Sequence, residues 1–211
     1  MAHNAGDPDD PKILVARAVH RAILSRGLQG VNLRDISRDL GVTTGFLTHH
    51  FRNKAELLLF SKDLLMQDLM AGARAAAESA TGWDRLRIVC EHLLPLSEER
   101  VDTWLIFFAF LGRAVGDRKL MSVQVARYRA SQKFYQEEIR QLVSSGHLGG
   151  SVDVEKEGLA LASFVDGLAS NALFNPTRVQ HDLQRELLEG YIDRALRPEG
   201  RSASGGRPKK A

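Results

Sequence analysis

The sequence predicts an all-α chain, and three observations carry that reading. Apolar residues recur at helical spacing along most of the 211 residues. No segment sustains the period-two alternation of a half-buried strand. Breakers gather at joints rather than inside the periodic stretches: Gly27, Gly41, Pro95, Gly116, Gly146 with Gly149-Gly150, and Asn175-Pro176. Hydrophobic residues make up 44% of the chain, which fits a packed globular protein rather than a disordered one.

The elements follow in order. Residues 1–10 are polar and acidic, lack the apolar core of a signal peptide, and are expected to be flexible. Pro11 opens a first helix over 12–26 with Leu14, Val15, Ala18, Val19, Ala22 and Ile23 inward, Arg17 and Arg21 outward, and Gly27 as its stop. Asn32 is placed to cap a second helix, with Asp35 three residues on in the reciprocal position. Leu33, Ile36 and Leu40 supply its buried side, and Gly41 can take the left-handed conformation that ends it. Thr43 caps a third helix anchored by Phe46, Leu47 and Phe51. Asn53 and Glu56 repeat the capping pattern, so a long fourth helix begins near Lys54 and runs to about residue 79. Two short helices joined by a tight turn form a helix-turn-helix, a unit that lays its second helix in the DNA major groove.

The residues between the anchors suit that task. Thr43, Thr44, Gly45, Thr48, His49 and His50 are small or hydrogen-bonding. Small side chains let a helix start approach base edges, and threonine offers both a hydroxyl and a methyl. Lys54 and the free amides of its helix suit a phosphate, and Asn32 lies at the start of the supporting helix. Charge agrees. Residues 11–54 hold eight Lys or Arg against two Asp, whereas residues 55–195 hold sixteen against twenty acids. A basic head on a mildly acidic body is the electrostatic footprint of a DNA-binding module carried by another domain.

The stretch from Gly41 to Leu58, GVTTGFLTHHFRNKAELL, resembles the signature of the tetracycline-repressor (TetR) family of bacterial regulators. Gly41, Val42, Thr43, Gly45, Leu47, His50, Phe51, Lys54 and Leu57 fit the pattern, and Thr48 departs from it where a tyrosine is usual. The same segment and the Asp166-Gly167-Leu168 phrase resemble the branch that includes choline-responsive betaine regulators. The resemblance implies a homodimer on a palindromic operator and a body that holds a small-molecule effector.

The body reads as further helices near 83–94, 98–115, 117–145, 153–174 and 178–195. The stretch from Trp104 to Leu111 is apolar all round, so it must be surrounded. Trp104, Phe107, Phe108 and Leu111 share one side as core or as a cavity wall. Asp166 stands among small and apolar residues. It is read either as a partner for a cationic ligand or as a carboxylate satisfied within its own bundle. Leu161, Val165, Leu168 and Ala172, with Leu183, Leu187 and Tyr191 of the last helix, suggest a four-helix interface between two copies of the chain.

Other classes find little support. There is no phosphate-binding glycine loop, metal-ligand pair or nucleophile motif, so no catalytic residue, metal or cofactor is expected. The adjacent His49 and His50 should point to different sides of their helix. The single Cys90 cannot form an intramolecular disulfide and reads as a small core residue. No apolar run reaches membrane-spanning length, and a cytoplasmic location is expected. Residues 196–211 form a basic, Gly/Ser-rich tail read as flexible, in which Gly206-Arg207-Pro208 resembles the core of a minor-groove arm. The expected organisation is thus a DNA-binding head over 11–54 and a ligand-binding, dimerising body over 55–195. The expected function is a repressor that a small-molecule effector releases from double-stranded DNA. The alternative is a ligand-binding helical protein whose DNA head is vestigial.

Overall fold

A computed structural model of the chain describes residues 10–115 and 118–196. The expectations for residues 1–9 and 197–211, the basic arm among them, and for the break at Gly116 lie outside the described residues. Of the described residues 79% are helical, and no strand occurs among them. The order is α1 (Pro11–Arg26), α2 (Leu33–Asp39), α3 (Thr44–His50), α4 (Lys54–Ala76), α5 (Gly82–Leu93), α6 (Glu98–Ala114), α7 (Arg118–Ser144), α8 (Val154–Phe174) and α9 (His181–Tyr191), which continues into one π-helical turn, Ile192–Leu196.

Local chemistry sets the helix starts. The side chains of Asp10, Asn32, Thr43, Asn53, Ser97 and Asp153 each accept a backbone N–H of the helix they precede, which satisfies donors the helix cannot. Gly41 ends α2 at φ 68°, a left-handed conformation that favours glycine. One expected reciprocal cap is absent. Asp35 turns away from Asn32 and pairs with Arg26 at 3.4 Å and with Arg38, tying α1 to α2.

α1, α2 and α3 close around Val15, Val19, Ile36, Leu47, Phe51 and Leu57. Ile106 and Phe110 of α6 belong to the same cluster, so the first three helices are packed onto the body through α6 as well as α4. The inward side of α1 differs from the expected one. Leu14 is 43% exposed, while Ile13 and Ala16 are buried against Leu64. The reason is that α1 packs against α4 as well as α2 and α6, so the face it covers turns to include Ile13 and Ala16 and leaves Leu14 outside.

A second core joins α4, α5, α7, α8 and α9 around Leu86, Val89, Cys90, Ile139, Leu161, Val165 and Leu188. Burial pushes the Cys90 thiol well above its ordinary value, which leaves it an inert packing group. Glu138, only 2% exposed, receives Arg85 Nε at 3.0 Å and Nη2 at 3.3 Å, and Arg85 Nη1 donates to the Ala77 carbonyl. This bidentate pair fastens α5 to α7. α7 and α8 approach so closely at Gly158 that a Cβ there would lie 2.9 Å from the Gln136 Cα.

Candidate functional site: the DNA-facing helix and the body cavity

Thr43, Thr44, Gly45, Thr48 and His49 are exposed, whereas Leu47 is buried beneath them. The hydroxyl of Thr43 accepts the Phe46 N–H at 3.2 Å, and that of Thr48 donates to the Gly45 carbonyl at 3.1 Å. Both threonines are therefore held in place and keep acceptor capacity outward. At Gly45 an added Cβ would meet only the Thr43 hydroxyl, at 3.6 Å, so the backbone here is open to close approach. Asn53 accepts the Glu56 N–H, and the Glu56 carboxylate returns to the Arg52 N–H, both at 2.9 Å. That lock fixes Lys54 one residue into α4.

Three expectations are modified on this face. His50 is half-buried, with its ring 4.8 Å from Phe46, so part of it is packing. His49 and His50 are in edge contact at 5.1 Å rather than on separate sides, because the end of a short helix leaves both rings free to fold together. Asn32 is exposed, but its side-chain oxygen is occupied by the Arg34 N–H. Exposed Arg52, directly after α3, is a cation the sequence reading did not single out.

The body holds a cavity of about 420 Å³ between α4, α6 and α7. Phe107 and Leu111 line it, as do Lys62, Met66, Met70, Gln124, Arg127 and Tyr128. A deeper recess of about 20 Å³ shares Met66, Phe107 and Tyr128 with it and adds Trp104 and Asp166. Trp104 donates to the Leu93 carbonyl at 2.8 Å, so its polar edge is satisfied within the bundle. Phe108 lines neither space. Its ring packs between Trp104 and Phe174, at 5.8 Å from each, because the residue after Phe107 is rotated off the cavity side of α6.

Asp166 accepts the Tyr128 hydroxyl at 2.6 Å, which is the satisfied-carboxylate alternative. Burial raises the pKa of Asp166 above its ordinary value, and the Tyr128 bond opposes that shift. Lys62 was missed. It is 5% exposed, bonds to Gln124 Oε1, and lies 5.7 Å over the Phe107 ring. Burial lowers its pKa, and neighbouring Asp63 works against that. The signal was present: Lys62 stands on the stripe Leu58, Lys62, Leu65, Leu69, where a cation is out of place.

The expected pairing residues also divide. Leu161, Val165, Leu168 and Ala172 are buried in the single chain, the first three in the core that α8 shares with α5 and α7. The outward face of α8 is a different one, Leu159, Ser163, Gly167, Asn171 and Phe174. Leu187 is exposed beside it on α9, whereas Leu183 is half-buried and half-buried Tyr191 stacks on Phe164 at 4.2 Å.

A polar cleft of about 700 Å³ lies where α1 meets α4, α5 and α6. At its edge the His20 Nε2–H donates to the Ser61 carbonyl at 2.7 Å. Burial and the nearby Arg17 and Arg21 hold the His20 pKa below its ordinary value.

Comparison with known proteins agrees with this geometry. Residues 17–59 match the family described as bacterial regulatory proteins, tetR family. Residues 83–197, more than half of the chain, match the BetI-type transcriptional repressor C-terminal family. The chain is 26% identical over 180 residues to the HTH-type transcriptional regulator PksA of Bacillus subtilis, covering 85% of this chain and 86% of that one. It is 27% identical over 203 residues to the HTH-type transcriptional regulator BetI of Agrobacterium fabrum, covering 93% and 94%. A transcriptional regulator from Saccharomonospora viridis, solved in complex with choline, shares the fold at a TM-score of 0.72 and 20% identity, over 87% of this chain and 96% of that one. These relatives are regulators and not enzymes, and no described helix is long and apolar enough to cross a membrane. With a helix-turn-helix that presents small polar residues, and a helical body matched over most of its length, the chain belongs to the TetR family of DNA-binding transcription regulators.

Proposed function

We propose that the chain is a homodimeric repressor that binds a palindromic operator and lets go when a small molecule enters the body cavity. The observation that carries this reading is the double duty of α6. Phe107 and Leu111 wall the cavity, while Ile106 and Phe110 are packed in the core beneath α1 and α3. α4 repeats the arrangement, with Leu57 in that core and Lys62 and Met66 at the cavity. A ligand that favours a shifted α6 or α4 therefore favours a shifted recognition helix, and the two affinities are linked.

In this reading Thr43, Thr44, Gly45, Thr48 and His49 meet base edges, with His50 and Asn32 in support. Lys54 and the first amides of α4 meet a phosphate. The domain division falls near residue 54, and the protein acts in the cytoplasm. Two copies pair through the outward faces of α8 and α9, Leu159, Gly167, Phe174 and Leu187, rather than through the buried residues of α8. Twofold pairing presents two α3 helices to successive major grooves, about 34 Å apart.

The test is a gel shift with a duplex selected from a random pool by the full chain. The parent binds it with steep salt dependence. Thr44→Ala with Lys54→Ala loses about tenfold to a hundredfold in affinity. A chain that enriches no duplex is a ligand binder with a vestigial head.

A further inference from the structure

We propose that the body cavity takes an organic carboxylate with an apolar body, its acid group seated between Lys62 and Gln124, and not a quaternary ammonium ion. This rests on the reading of that cavity as the effector site and adds the chemical class of the effector.

At the cavity one buried donor, Gln124 Nε2, lacks an acceptor, and one buried cation, Lys62, lacks a counter-ion among the described residues. The Lys62 ammonium carries three protons, and Gln124 Oε1 takes one of them. An ammonium accepts nothing, so the Gln124 amide must turn its oxygen toward Lys62. Its Nε2 is then left buried without a partner, in a side chain only 4% exposed. No ion pair offsets Lys62 among the described residues. Asp63, its chain neighbour, has both oxygens on Arg127 Nε, at 2.6 and 2.8 Å. A buried charge without a counter-ion and a buried N–H without an acceptor are each costly, and one anionic group with two oxygens removes both costs. A neutral carbonyl or hydroxyl leaves the ammonium uncompensated, and a quaternary ammonium adds a second positive charge beside it.

Volume decides the remaining alternative. A cation would be drawn to Asp166, but the recess there is about 20 Å³, room for a single water, and the Tyr128 hydroxyl already occupies the carboxylate. The space lies at the other end, about 420 Å³ beside Lys62 and Gln124, within the range of small-molecule pockets. Met66, Met70, Phe107 and Leu111 supply the apolar wall for the ligand body.

The full chain, free of DNA, is titrated calorimetrically with three matched series: ω-phenylalkanoates, their primary amides, and ω-phenylalkyl trimethylammonium ions. At least one acid is expected to bind about tenfold or more tightly than its amide, with the ammonium ions weaker still. Lys62→Met keeps the length of the side chain and removes an uncompensated buried charge. It is expected to melt no lower than the parent and to lose about tenfold or more of the acid affinity. Gln124→Leu, which leaves the ammonium in place, loses a smaller share and carries the test alone if Lys62→Met melts lower. Preference for the ammonium series, equal binding of all three, no binding by any acid, or an unchanged acid affinity in both variants overturns the proposal. Operator release is read separately by gel shift. An acid that binds but leaves the operator complex intact breaks the release mechanism and spares the ligand class. A cation that releases DNA while no acid binds does the reverse.

Discussion

The recognition helix α3 and the body helix α8 both mix small residues with apolar ones, yet they answer to different physics. α3 has seven residues, one fully buried anchor and a cap at its start, and its outer side chains are left to solvent. α8 has twenty-one residues, with Gly158, Leu161, Ala162, Val165, Leu168, Ala169 and Ala172 all buried. In α3 the small residues keep the outside open. In α8 they serve the inside, letting α7 and its neighbours come close, as Gly158 does against Gln136. A small residue on a helix thus says that something approaches closely, and the fold must say what.

The sharpest break in that comparison comes from two α8 substitutions with opposite outcomes. Leu161→Ala empties a fully buried site and should cost about 2–5 kcal/mol in urea unfolding. Gly167→Trp points into open space in the single chain, where nothing lies within 4 Å of an added Cβ. It should leave the fold intact, yield a monomer by sedimentation, and weaken operator binding by about a hundredfold. A stable Gly167→Trp dimer would return pairing to some other face.

On α3 the effects are smaller. Gly45→Gln fits the single chain, with only the Thr43 hydroxyl near its Cβ, so the melting temperature should hold while operator affinity falls about tenfold. Thr43→Ala removes the cap on the Phe46 N–H and should cost about 1 kcal/mol of stability.

The smallest effect is electrostatic and lies in the cleft between α1 and the body helices α4, α5 and α6. Burial holds His20 below its ordinary value of about 6.5, so the unfolded chain takes up the proton first. Its contribution to stability is complete above about pH 6.5 and is lost as the pH falls through the depressed value in the fold. His92, lowered mainly by burial, acts in the same sense. Urea midpoints should therefore drop between about pH 7.5 and about pH 5.5, and His20→Gln should flatten part of that drop.

What was legible in the sequence follows the range of the forces involved. The caps at Asn32, Thr43 and Asn53 act within three residues, and they marked their helix starts correctly. Gly41 announced its positive φ for the same reason. Which way a face turns depends on partners far along the chain, and there the reading slipped. Leu14 fits the inward stripe of α1 yet is exposed, and the burial of Leu161 and Val165 depends on the bundle around α8. Asp166 was noticed, but its partner Tyr128 is 38 residues away, so spacing alone could not supply it. Lys62 was visible as a lysine on an apolar stripe, and only the void beside it gives that oddity a meaning.

The most direct test of the account is the mass of the complex formed with the selected duplex. Sedimentation across a salt series should show two chains on one palindrome, each half-site contributing, with affinity falling steeply as salt rises. One chain per duplex, or binding indifferent to sequence and salt, would contradict it.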